Sequence, residues 1–121
     1  MNRWVGIGAI SGFMSVAIGA FGTHALRNRL SERMLAVFQT ATHYQMFHAL
    51  ALIGLGLWAG QNPAARTDLT GWSFTTGSVL FCGSLYLLAV TDISWLGAIT
   101  PFGGLAFLLG WASFAILAWK H

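Results

Sequence analysis

The residues most able to do chemistry lie in one short run, Gln39-Thr40-Ala41-Thr42-His43-Tyr44-Gln45-Met46-Phe47-His48, where seven of ten side chains are able to hydrogen-bond. At about 100° per residue on a helix, Gln39, Thr42 and His43 share one face. Tyr44, Gln45 and His48 fall roughly opposite, so the polarity runs around the helix. His24 lies upstream with Arg27, Arg29 and Arg33, and Asp92 lies downstream between the third and fourth uncharged stretches. Several chemistries use such groups. A proton relay or small-solute path would use His43, Gln45 and His48. A haem would need two axial ligands such as His24 and His48, but these sit at different depths and no CxxCH attachment exists. A metal held by His24, His43 and His48 lacks a carboxylate at matching depth. Nucleophilic catalysis lacks a His–carboxylate pair at any evident spacing from a Ser or Thr. The plainest role for each residue is an interhelical hydrogen bond, at roughly 1 kcal/mol.

The elements that carry these residues follow from where charge is absent. The chain has 121 residues, of which 56% are hydrophobic and 7% charged, against roughly 25% charged in soluble domains. A water-soluble fold is therefore excluded. The charged residues Arg3, Arg27, Arg29, Glu32, Arg33, Arg66, Asp68, Asp92 and Lys120 bound the uncharged stretches 4–26, 34–65, 69–91 and 93–119. A helix needs about 20 apolar residues to cross a bilayer core, and Pro63 ends the second stretch early. The expectation is an all-α, integral membrane four-helix bundle, with transmembrane helices at about 4–26, 34–58, 69–91 and 95–119 in one domain, 1–121. A secretory signal over 3–22, with Ala20-Phe21-Gly22 as a poor cleavage site, is the rival reading, and the apolar run is too long for it. A net charge of +3 is too small for nucleic-acid binding. The single Cys82 gives no disulfide framework and no zinc site.

End signals agree with this division. Trp4, Trp58, Trp72, Trp95 and Trp119 stand near helix ends, where indoles prefer the membrane interface. Ser31 is placed to cap the second helix, and Thr67 or Asp68 the third. Lys and Arg are balanced between the two sides, and the three-Arg loop inclines the reading toward a cytoplasmic 27–33 loop. Thr100-Pro101 either kinks the fourth helix or marks its first turn.

Lipid gives helices no hydrophobic reason to associate, so small residues must let backbones approach. Gly8, Gly12, Ser15, Gly19 and Gly22 form such a seam on the first helix. Gly71, Thr75, Ser78 and Cys82 repeat it on the third, and Gly103, Ala106, Gly110 and Ser113 on the fourth. On this reading Gly12→Leu costs about 2 kcal/mol or more. The polar second helix is expected at the centre, enclosed by the others. A hairpin about residue 30 brings His24 near Gln39, Ala17 near His43 and Gly12 near His48. Asp92 falls on the same side as Arg27, Arg29 and Arg33, so that an interface cluster of His24, Gln39, Asp92 and an Arg is expected there.

Three ordered motifs also carry a resemblance. Gly19-Ala20-Phe21-Gly22-Thr23-His24-Ala25-Leu26 is similar to a GAFGAHAL pattern, and Gln39-Thr40-Ala41 through Tyr44-Gln45 and His48-Ala49-Leu50 to QTAxxYQxxHAL. With Thr100-Pro101-Phe102-Gly103-Gly104 and Gly110-Trp111, the chain resembles the family of small membrane proteins called domain of unknown function 423, the transmembrane-protein-256-like family. Thr23 stands where that pattern has Ala, and Phe102 where it has an aliphatic residue. The resemblance implies a multi-pass protein of the bacterial inner membrane with four helices and no established activity, cofactor or catalytic residue. Its polar members, His24, Gln39, Tyr44, Gln45 and His48, join His43 as the candidate ligand-binding track. The functional expectation is a non-enzymatic accessory protein or a binder of a small, lipid-like ligand, with no cofactor. Membrane lipids and a second copy or another membrane protein are the expected partners, and nucleic acid is not. An oligomeric proton or small-solute carrier and a haem- or quinone-binding redox subunit are the alternatives.

Overall fold

Helix starts are set by side chains that accept orphan backbone N–H groups. Asn2 accepts from Val5 N at 3.4 Å, and Ser31 Oγ from Met34 N at 3.1 Å. In the computed structural model, which describes residues 2–121, these caps open α1, Arg3–Leu26, and α2, Glu32–Gln61. The third helix, α3, is Asp68–Thr91. A 3-10 turn, Ser94–Ala98, leads into α4, Thr100–Lys120. Among the described residues there is no strand.

Two details depart from the sequence reading, and a third, Pro101, is settled between its two alternatives. The second helix continues through Ala59 and Gly60 to Gln61, and Asn62 closes it by donating its side-chain N–H to Trp58 O at 3.0 Å. Thr67 occupies the N-cap position of α3 without capping it; its hydroxyl oxygen instead accepts from the Trp4 indole at 3.0 Å. Pro101 lies in the first turn of α4, where a missing N–H costs no hydrogen bond, so it leaves no kink. At the other end of α3 the chain reverses through Asp92, whose φ of 57° is left-handed, a conformation Asp tolerates better than most residues.

Two segments inside the helices are π-helical, Ile18–Gly22 in α1 and Ser78–Cys82 in α3. Such widened turns shift the register of the side chains beyond them and recur at functional sites.

Packing divides into two hairpins. In the first, a Cβ on Gly8 would meet the Ala49 carbonyl at 2.7 Å, and Gly19 and Gly22 receive the Thr42 methyl and the Phe38 ring. In the second, Gly103 of α4 lies against the Phe81 backbone, Gly77 of α3 against the Phe107 ring, and Gly110 against Phe74. Gly12 is looser, with only the Ala49 Cβ at 3.8 Å, so a bare methyl there meets no clash. On α3 the small-residue line packs at its ends, where Gly71 receives the Trp4 ring of α1 and Cys82 lies in the core, while Thr75 and Ser78 border an open groove. The Phe107-receiving glycine of α3 is Gly77, off that line.

The hairpins meet around α2, whose Ala41, Leu52 and Leu55 join Phe74 and Phe107 in one core. Trp4, only 3% exposed, wedges α1 against α3 instead of lying at a surface, and Arg3 pairs with Asp68 beside it. Helices α1 and α3, and the 3-10 turn with α4, are long and apolar enough to cross a membrane. Their outward surfaces are apolar, with Phe13, Phe21, Val79, Leu105 and Leu108 all exposed. The polar run makes α2 less apolar than these three.

Candidate functional site

Two helical turns of α2 hold the inward polar groups, His48 and Gln45, 5% and 7% exposed. They face the second hairpin because the opposite side of α2 carries exposed Phe47, Leu50 and Leu57. His48 Nε2 accepts the Trp111 indole N–H at 3.0 Å, and Nδ1 lies 2.7 Å from Tyr44 O. An indole nitrogen only donates and a carbonyl only accepts, so the ring carries its proton on Nδ1. The neutral tautomer is thereby fixed. Phe107 stacks on the imidazole at 3.5 Å between centroids, and Phe74 and Trp111 close the remaining sides. With both nitrogens engaged, His48 offers no lone pair to a haem iron and passes no proton without losing two bonds. It ties α2 to α4.

Gln45 does the same toward α3. Its Oε1 accepts the Tyr86 hydroxyl at 2.6 Å, and its Nε2 reaches Ser11 Oγ of α1 at a long 3.5 Å. Thr42 stands beside Tyr86 at 3.4 Å while donating to Phe38 O. One amide thus joins three helices. It also forms the floor of a groove of about 390 Å³ between α1 and α3, walled by Ile7, Met14, Ile18, Val79 and Cys82.

The other candidate residues lie elsewhere. Gln39 and His43 are exposed on the outward side of α2, and neither side chain has a hydrogen-bond partner among the described residues. The helix is therefore not enclosed on all sides, and no continuous track joins His43 to His48. Tyr44 lies between the two faces, 41% exposed, with its ring 4.5 Å from that of Phe81. His24 is exposed near the end of α1, where its Nδ1 is 3.3 Å from an Arg27 nitrogen. Arg29, Arg33 and Asp92 are exposed and form no salt bridge among the described residues, so the expected cluster of His24, Gln39, Asp92 and an Arg is not seen there. Among the described residues no group of three His, Cys, Asp or Glu could hold a metal ion.

Tyr86 and Ser11, which complete the inward sites, escape a reading of the sequence, and Trp111 enters it only as part of the Gly110-Trp111 motif, with no partner assigned. Each is a single polar group in an otherwise apolar or small-residue stretch, and only the fold shows what it faces.

Comparison with known proteins places the chain. A family described as "Protein of unknown function (DUF423)" matches residues 18–104. The chain is similar to the UPF0382 membrane protein of Staphylococcus saprophyticus, 42% identical over 120 residues, covering 99% of each chain. The UPF0382 membrane protein of Staphylococcus haemolyticus is 43% identical over 120 residues, covering 99% of this chain and 98% of its own. That of Bacillus subtilis is 41% identical over 122 residues, covering 100% and 99%. No solved structure matches. A family match across most of the chain and end-to-end relatives at 41–42% identity mean that this chain belongs to the DUF423 family, whose biochemical activity is unknown.

Proposed function

We propose that the chain is a multi-pass protein of the bacterial inner membrane, with all four helices crossing, and that it works without catalysis as a subunit paired with a second copy of itself. Three helices of sufficient length and apolarity and relatives named as bacterial membrane proteins support the location. In this reading α2 also crosses, because its inward polar groups are satisfied by α1, α3 and α4.

The observation that carries the pairing is the contrast between the two sides of α2. Inward, His48 and Gln45 have protein partners. Outward, Gln39 and His43 have none and would face hydrocarbon. At ~1.5 Å per residue, His43 lies roughly 16 Å from the start of a helix about 45 Å long, well inside a ~30 Å apolar core. Polar side chains at that depth turn toward protein. A two-fold axis along the membrane normal brings equal depths together, and an amide and a neutral imidazole each both donate and accept. Gln39 can pair with Gln39 of the second copy, and His43 with His43. Ala36 and Gly54, exposed on the same side, permit close approach.

Native mass spectrometry from lipid nanodiscs tests this. The expected species is a dimer, and the double variant Gln39→Leu, His43→Leu is expected to be monomeric with unchanged melting of the protomer. A monomeric wild-type protein, or a dimer indifferent to both substitutions, would overturn the pairing.

A further inference from the structure

The groove between α1 and α3 supports a separate assignment, which rests on membrane embedding but not on the pairing of copies. Both helices start at the end where Arg3 meets Asp68 and run in parallel, leaving the space of about 390 Å³ over Gln45 and Leu52 of α2. That volume is within the range of small-ligand sites. No charged residue lines it.

The hydrogen-bond inventory of this groove is unbalanced in one direction. Thr75 and Ser78 donate to Gly71 O and Phe74 O of their own helix, at 2.8 and 2.9 Å. Tyr86 donates to Gln45 Oε1. Gln45, however, has two amide N–H groups, of which one makes the long contact to Ser11 Oγ. The second N–H has no acceptor among the described residues, and neither has the Ser11 hydroxyl proton. Two uncommitted donors therefore meet at mid-depth in an apolar slot, one of them on a side chain only 7% exposed. An unsatisfied donor in such surroundings is costly.

A second observation points to the same place. The two π-helical segments, Ile18–Gly22 and Ser78–Cys82, stand in opposite walls of this groove and supply Ile18, Ser78, Val79 and Cys82 to its lining. No other π-helical segment occurs among the described residues. Irregular helix turns that face each other across a cavity are a recurrent feature of membrane binding sites.

We propose that this groove binds one apolar chain of a neutral lipid, with a carbonyl oxygen of that lipid accepting from the Gln45 amide and the Ser11 hydroxyl. A carbonyl has two lone pairs and no proton to place, which matches two donors. A charged headgroup does not fit, because nothing in the groove neutralises it. The carbonyl can belong to the ring of a prenyl-type quinone or to an acyl ester.

Photolabelling of the full-length protein in nanodiscs distinguishes the outcomes. The probes are methyl palmitate and hexadecane, each with a diazirine in the chain, at equal mole fraction. The ester is expected to label groove residues such as Met14 and Val79 about fivefold more than the alkane, the scale of one hydrogen bond in a membrane. Gln45→Leu should lower the ratio to about twofold or less, Ser11→Ala, which leaves the Gln45–Tyr86 bond in place, should lower it about twofold, and the double variant should make the two yields equal. Displacement of the ester by unlabelled decylubiquinone assigns the carbonyl to a quinone; displacement only by unlabelled methyl palmitate assigns it to an ester. Equal labelling by both probes in the wild-type protein would overturn the carbonyl contact, and labelling of lipid-facing residues outside the groove would overturn the site. Neither result bears on the copy number read by mass spectrometry.

Discussion

The contacts within each hairpin and the contacts between the hairpins draw on different proportions of glycine approach and hydrogen bonding. Inside α1–α2 and α3–α4 the closest approaches are glycines against backbone or rings, with Gly8 on the Ala49 carbonyl and Gly103 on the Phe81 backbone. Between the hairpins they are polar and aromatic: Gln45 with Tyr86, His48 with Trp111, and the Trp4 indole with Thr67. Removal of side chains lets neighbouring helices touch, but a flat glycine surface selects no particular partner or register. Directional hydrogen bonds do select. Within the hairpins glycine contacts are joined by bonds of short side chains, Thr70 with Ser113 and Ser84 with Thr100 at 2.6 Å, whereas between the hairpins the bonds enlist large groups, an amide, an imidazole and indoles.

The sharpest way to break the first half of this comparison is Gly103→Ala. Its added Cβ would collide with the Phe81 main chain, which cannot rotate away, and the helices must separate. A loss of about 3 kcal/mol is expected, read as a lower melting temperature in mild detergent. Gly8→Ala should cost about 2 kcal/mol, because it meets the Ala49 carbonyl and Ile53. Gly12→Ala, one turn along the same helix, meets only a methyl at ordinary distance and should leave the melting temperature unchanged. Equal effects at Gly8 and Gly12 would show that glycine content, rather than contact, sets the seam.

The second half is tested by Trp111→Phe. This keeps an aromatic ring beside Phe74 but withdraws the indole N–H from His48. A buried acceptor is left without its donor, and about 1 kcal/mol of stability is expected to go. The imidazole should also gain freedom, visible as exchange between tautomers in its nitrogen NMR signals. A single sharp Nδ1–H tautomer in the variant would mean that the Tyr44 carbonyl alone holds the ring.

Much of this architecture is legible in the sequence. Gaps between charges mark four helices, since a charge inside an apolar span is expensive, and the caps at Ser31 and Pro101 follow from local geometry. The polar run is assigned to α2 on the same basis. A helical wheel also separates Gln39 and His43 from Gln45 and His48. It does not say which pair faces inward, because that depends on where α3 and α4 dock. Trp4 shows the same limit: its position near a helix end suggests an interfacial indole, whereas the absence of a side chain at Gly71 admits it to the interior. Tyr86 and Trp111 carry no periodic signal at all, and a π-helical segment leaves none in composition.

The finest probe of the comparison is Ser15, which belongs to the within-hairpin seam by position and to the polar class by chemistry. It is 1% exposed, and its hydroxyl has no hydrogen-bond partner among the described residues. If the seam requires only smallness, then Ser15→Ala removes an unsatisfied polar group while keeping the Cβ. The effect on stability should then be a gain, of about 0.5 kcal/mol, below the cost of a fully orphaned group because helices separated in lipid also leave the hydroxyl without water. A rise of the melting temperature in detergent checks this. A fall would show that the hydroxyl makes a bond in the membrane, for instance to a helix carbonyl released at the neighbouring Ile18–Gly22 segment, and would move Ser15 from the packing residues to those that specify how α1 is held.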